Sequence, residues 1–89
     1  MRLFYKIGAK IRKQMVTRGW TTELIEDTLQ NPKRTVMTRD QRYRPDGSQI
    51  DAPATVYIHA DGNYVVRNDT TGDIVQISDR HNPAWKAPF

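Results

Sequence analysis

The chain has 89 residues, 37% of them hydrophobic, and a formal net charge of +4, which makes one small domain, residues 1–89, whose thin core buries only about 60–65% of the unfolded surface. It has no cysteine, which excludes disulfides, thiolate metal sites and a cysteine nucleophile. No apolar run approaches the roughly 18–20 residues that span a bilayer, and Lys6, Lys10, Arg12 and Lys13 interrupt anything like the apolar core of a signal peptide, so export would need a larger polypeptide or a leaderless route.

Phe4, Ile7, Ile11 and Met15 recur at helical spacing and predict an amphipathic helix over about residues 3–17. On such a helix Arg2, Lys6, Lys10 and Lys13 share one flank, and residues 1–20 contain no acid at all. A concentrated basic segment points to phosphate-bearing partners, although a solvated helix face has the same composition. The apolar stripe is needed to cover a sheet, which argues against a membrane anchor. Gly19 is a stop signal and Thr21 an N-cap for a second helix through Glu23, Leu24, Ile25 and Leu29, ended by Asn31 and Pro32.

Lys33 to Arg39 alternates as a strand should, and Arg44 to Ile50, with its Pro-Asp-Gly turn, predicts an exposed, mobile loop. Strands near 54–60, 63–68 and 73–78, separated by Asp61-Gly62 and Thr71-Gly72, predict a compact antiparallel meander. Ala54, Val56 and Ile58 alternate against Thr55, Tyr57 and His59, giving one buried and one wet face. The fold class is α+β: two N-terminal helices packed on a small twisted antiparallel sheet of about four strands. Residues 80–89 look irregular, with Trp85 and Phe89 pinning the tail to the body.

Most familiar catalytic constellations are missing. There is no Gly-rich phosphate loop, no helical His-Glu zinc pattern and no acid cluster for a hard metal, so no metal or other cofactor is expected. His59 and His81 could serve a metal-free ribonuclease, one as general base on the 2′-OH and the other as acid on the leaving 5′ oxygen. Equally, His59 reads as a polar residue on the wet side of a strand and His81 as a loop residue. The other route uses cations. Attack of an RNA 2′-OH on its own phosphate builds negative charge, and fixed guanidinium or ammonium groups aimed at that charge stabilise the transition state.

The order of motifs is more specific than any one of them. Pro53-Ala54-Thr55-Val56-Tyr57, then Tyr64-Val65-Val66 with Asn68-Asp69, then Thr71-Gly72 with Gln76, Ser78 and Asp79, then Pro83 and Trp85, resembles the colicin E-five ribonuclease domain family. Lys10 to Met15 followed by Arg18-Gly19-Trp20-Thr21 resembles the same family's first helix and its exit, whereas Pro32 to Asp51 matches poorly and Ala52 stands where the family usually has Asp. The resemblance implies a toxin endoribonuclease that works without an essential histidine. Its substrate would be transfer RNA, cut in the anticodon loop between a wobble guanine (or its queuine form) and uridine. The tRNAs for tyrosine, histidine, asparagine and aspartate would be disabled, leaving a 2′,3′-cyclic phosphate and a 5′-hydroxyl.

Carried over by motif, the catalytic cations fall on Lys10 and Arg18, with Arg39 and Arg42 both candidates for a third. Lys6 and Lys13 are candidates for the RNA backbone; Arg67, Asn68, Asp69, Gln76 and Ser78 are candidates for base edges, though turn and sheet roles suit them as well. Tyr57, Tyr64, Trp20 and Trp85 are the aromatics a base could stack on, with core packing the better use of Trp20. The resemblance also implies an acidic immunity or antitoxin partner, a monomeric free domain, and action in a bacterial cytoplasm after delivery as part of a secreted toxin. A non-catalytic RNA-binding module of the same fold is the rival reading.

Overall fold

The first helix begins where Gly8 lets it. In the computed structural model, which describes residues 3–82, α1 runs Ala9–Arg18 and Gly8 is its extended N-cap. Residues 3–8 are not helical, against the expectation of a helix from residue 3. Lys6 instead forms a parallel bridge to Asp73, its N–H donating to Gly72 O at 2.8 Å and its carbonyl accepting from Ile74 N at 2.9 Å. Tyr5 and Ile7 alternate inward onto the core, and the Tyr5 hydroxyl donates to Glu26 Oε1 at 2.7 Å. A period of two is thus hidden in a run whose apolar residues also fit a helical spacing.

Gly19 closes α1 in the left-handed region at φ 77° and donates to Met15 O. Thr21 caps α2, Thr22–Gln30, its hydroxyl accepting from Leu24 N at 3.2 Å. Four strands follow: β1 Arg34–Asp40, β2 Ala52–Ile58, β3 Tyr64–Asn68 and β4 Ile74–Ile77. They pair in chain order as an antiparallel sheet, with a register shift at Val66/Arg67. The expected α+β architecture of two helices and a four-stranded antiparallel sheet is therefore present. The segment 44–50 is exposed as expected, but Tyr43 bridges Gln49 and Arg44 N donates to Ser48 O, so it is a small ordered hairpin.

The middle of the sheet, β2 and β3, is buried on both faces, while β1 is largely exposed. Tyr57, Val65, Ile74 and Ile77 pack under Ile11, Met15, Trp20, Ile25 and Leu29 of the helical layer, while Ala54, Val56, Ile58, Tyr64 and Val66 form a second cluster. Alternation puts that second cluster on the opposite face. Tyr57, expected on the wet side, is 8% exposed. A strand that is apolar on both sides reads as alternating only when one of its faces happens to carry the smaller or more polar set. The expected anchoring by Trp85 and Phe89 concerns residues outside those described.

Gly72 shapes the edge of this sheet. It has φ +80°, and a Cβ there would lie 2.7 Å from Phe4 Cδ1 and 3.1 Å from the Phe4 carbonyl oxygen. Gly72→Ala should therefore lose about 1–3 kcal/mol, the usual cost of a non-glycine residue held in a rare backbone region. Urea unfolding followed by circular dichroism measures it, and a loss under 0.5 kcal/mol, roughly the scatter of neutral surface changes, would show that the N-terminal segment is not seated as described.

Candidate nucleic-acid interface

At the start of α1, Gly8, Ala9, Lys10 and Ile11 line a pocket of about 200 Å³ whose other wall is Arg42, Asp73, Ile74 and Val75. α1 has no acid in its first turn and no side-chain cap, so its N–H groups and the positive end of its dipole meet no carboxylate from its own first turn. Lys10 is exposed and has no ion-pair or hydrogen-bond partner among the described residues. An uncapped helix start, a lysine and an arginine around one depression form a cradle for an anion such as a phosphate.

Arg42 is held there by Asp40. The Asp40 carboxylate is fully buried and accepts four hydrogen bonds. Oδ1 takes Arg42 N at 3.2 Å and Arg42 Nε at 2.9 Å, and Oδ2 takes Arg42 Nη2 at 2.8 Å and Asn68 Nδ2 at 2.9 Å. Burial alone would raise this carboxyl, but the hydrogen bonds from Arg42 and Asn68 outweigh it and hold the group below its ordinary 3.8. The same pairing pushes the Arg42 guanidinium up, so it stays charged. Arg42 Nη2 also lies 3.5 Å from Asp73 Oδ2 across the pocket wall.

Arg39 has a different fate. It lies on the side of β1 opposite Asp40 and is tied to Asp51, through Nε to Oδ1 at 2.7 Å and Nη2 to the carbonyl at 3.0 Å. Arg18 sits two helical turns beyond Lys10, about 12 Å along the axis at 1.5 Å per residue. Its Nη1 donates to Ile77 O on β4 at 2.8 Å and approaches Gln14 Oε1 at 3.4 Å. Lys10, Gln14 and Arg18, at i, i+4 and i+8, therefore form one ridge beside β4.

Several candidates for base contact are engaged by the fold. Asn68 is 1% exposed, and its Oδ1 accepts from Thr70 N and Thr71 N. Ser78 is fully buried, its hydroxyl donating to Asn63 Oδ1 and accepting from Tyr64 N. Arg67 is 8% exposed and donates to Phe4 O at 2.6 Å. Asp69 is exposed and accepts from Thr55 Oγ1 at 2.8 Å; Gln76 is exposed and donates to Tyr64 Oη at 3.1 Å. Lys6 lies 3.7 Å from Asp73, while Lys13 is exposed on α1.

Trp20 is core, as expected, donating to Ser78 O at 2.6 Å. The His59 imidazole lies between Asp27 and Asp61, each at 3.2 Å, and the His81 ring lies against Gly19, so the two rings serve different contacts. Among the described residues no three His, Cys, Asp or Glu side chains gather as metal ligands. No helix there is long and apolar enough to cross a membrane. The residues that sequence reasoning passed over are Asp40 and Asp73. Nothing in their neighbourhood marks them except the short Asp-x-Arg spacing of Asp40 and Arg42.

Comparison with known proteins bears on this geometry. The sequence profile of the Colicin E5 ribonuclease domain matches residues 7–89. Colicin-E5 of Escherichia coli is 45% identical over 84 residues, covering 90% of this chain and 46% of that protein. The tRNA nuclease CdiA of Burkholderia pseudomallei is 38% identical over 81 residues, covering 89% of this chain and 6% of that protein. The chain thus spans less than half the length of either relative.

Asp40 has a lowered folded-state pKa, so its contribution to stability is present above its unfolded value near 3.8 and is lost as pH falls through the lower folded value. Unfolding free energy measured between about pH 2 and 5 should fall with acid, and Asp40→Asn should flatten that slope. An unchanged slope would mean that other carboxylates carry the acid sensitivity.

Proposed function

The chain belongs to the Colicin E5 ribonuclease domain family, and on that premise we propose that it is a toxin endoribonuclease that cleaves transfer RNA in the anticodon loop. The observation that carries the proposal is the meeting of Lys10, Arg42 and the uncapped start of α1 around one pocket on a basic face. The name of the second relative, a tRNA nuclease, supports the substrate class. The reaction is attack of the 2′-OH on the adjacent phosphorus, breaking the bond to the 5′ oxygen and giving a 2′,3′-cyclic phosphate and a 5′-hydroxyl. The proton given up by the 2′-OH is balanced by the one the 5′ oxygen takes up from solvent. It needs no metal. Lys10 and Arg42 hold and neutralise the phosphate oxygens as charge grows on them, a role suited to fixed cations in a partly desolvated pocket. Arg18 acts further along the ridge, with Gln14 and Ile77 O fixing its reach. Arg42 is preferred over Arg39 as the third cation, because Arg39 is tied to Asp51 away from the pocket.

Base choice between guanine and uridine falls to two exposed polar groups, Gln76 on β4 and Asp69 just after the end of β3. Asn68 and Ser78 shape that edge from within, since their own polar atoms are engaged. Lys6 and Lys13 hold the RNA backbone. An acidic immunity protein is the expected partner, and the bacterial cytoplasm the place of action once a larger toxin has delivered the domain. The free domain is monomeric.

Total tRNA incubated with the purified domain and run on a denaturing gel tests the reading directly. Discrete half-length products are expected; intact tRNA would favour a non-catalytic RNA-binding module. Arg18→Ala and Arg42→Gln should each cut the rate by on the order of 10²–10³, with Arg39→Ala near wild type. The double variant His59→Ala/His81→Ala should stay within tenfold of wild type, whereas a loss beyond roughly 10² would indicate general acid–base catalysis by these rings.

Affinity should fall steeply with salt, each neutralised phosphate contributing about 0.7–0.9 to the logarithmic slope. Lys13→Ala should weaken every RNA alike and flatten that slope. Short anticodon-loop oligonucleotides differing only at the guanine or uridine test selectivity. Equal cleavage of all of them would mean a general ribonuclease.

A further inference from the structure

Of the aromatics first considered for base stacking, the three among the described residues are not available for it, and Trp85 lies outside those residues. Tyr57, Tyr64 and Trp20 are 8%, 1% and 4% exposed, and all three belong to the core. Phe4, by contrast, is 64% exposed, although an open phenyl ring in water gains nothing from burial. It precedes the residues that the family profile matches.

The ring is fixed as well as exposed. Arg67 Nε, itself nearly buried, donates to the Phe4 carbonyl at 2.6 Å. Two residues on, Lys6 is zipped to the edge of β4 by its backbone on both sides. One side of the ring lies against Gly72, so closely that any β-carbon there would strike Cδ1 and Cε1. One edge of the ring is thus seated on Gly72, and the rest is open to solvent apart from the Lys6 ammonium that lies over it. The Lys6 ammonium lies 6.0 Å from the ring centroid and 3.7 Å from the carboxylate of Asp73. Asp73 is part of the pocket wall beside Arg42. The ring thus stands one lysine head group from the phosphate cradle, within the reach of a nucleotide whose phosphate occupies that cradle.

We propose that Phe4 is a stacking platform for a nucleobase of the bound RNA, one step along the strand from the phosphate held by Lys10 and Arg42. A preformed aromatic face beside fixed cations is how single-stranded nucleic acid is gripped without reading base edges. Lys6 completes the subsite by facing the backbone between base and pocket. This inference rests on the ribonuclease reading, and it adds a subsite that grips a base by its face and leaves the choice of base to edge contacts made elsewhere.

The test is cleavage kinetics on an anticodon-loop oligonucleotide and on analogues carrying an abasic nucleotide at each position flanking the cut. Phe4→Ala should fold as wild type by circular dichroism and raise KM about 5- to 100-fold, the range found for removing one stacked base. Phe4→Trp should restore wild-type KM, and Met37→Ala, which removes an even more exposed apolar group from β1 at the far edge of the sheet, should change nothing. On the analogue abasic at the stacked position, wild type and Phe4→Ala should have the same KM. The inference is overturned if Phe4→Ala stays within twofold on intact RNA, or if its defect persists on every abasic analogue. A wild-type domain that cleaves none of these RNAs would instead remove the ribonuclease reading beneath it.

Discussion

One buried carboxylate organises the functional end of this molecule. Asp40 closes β1, and its two oxygens are saturated by the backbone and guanidinium of Arg42 and by the amide of Asn68 at the end of β3. An unpaired charge at that depth would cost several kcal/mol, so the pairing is obligatory once the chain is folded. Because Asn68 Oδ1 also caps the turn that leads to Asp73, the knot fixes both the arginine and the turn opposite it. A sheet of four short strands gains from it a corner that cannot slide.

The charged surface follows from the same economy. Most side chains that bind within the fold do so along β3 and β4, where Arg67, Asn68 and Ser78 are buried with their polar atoms satisfied. The lysines of α1 are left to solvent because the helix needs only Ile11 and Met15 to seat it. Exposure is therefore unequal by design of the packing: the lysines stand exposed on the helix, whereas the polar groups of β3 and those just after β4 are closed within the fold.

Much of this was legible in the sequence. Gly19, Thr21 and Asn31 marked the helix ends through cap chemistry that depends on near neighbours alone, and the Gly62 and Gly72 turns separated the strands for the same reason. Residues 3–8 were misread because Phe4 and Ile7 fit a helical stripe, while the deciding facts were the weak helix propensity of Gly8 and the open edge of β4 more than 60 residues away. The faces of β2 were misjudged since alternation does not say which face the helices take. At the candidate site, Lys10 and Arg18 could be named from motif order and Arg39 and Arg42 only as alternatives in a stretch that matches poorly; the turn geometry after β1 separates the arginine beside the pocket from the one beside Asp51. Asp40 itself is invisible in the sequence, because burial of an acid is a property of everything around it.

The bridge between Lys6 and Asp73 has a temporal meaning. One wall of the pocket is made near the beginning of the domain and the other near its end, and every strand must be in place before the two can meet. A ribosome-bound chain whose β4 has not yet emerged has the lysines of α1 but no cavity to work in, since long-range pairings form last and at the greatest entropic cost. Any passage that requires the polypeptide to be threaded open takes the cavity apart again and leaves the helix residues behind as a basic stretch with no facing wall. Pairing of β4 is thus a condition for the cavity to exist at all, built into the order of the strands.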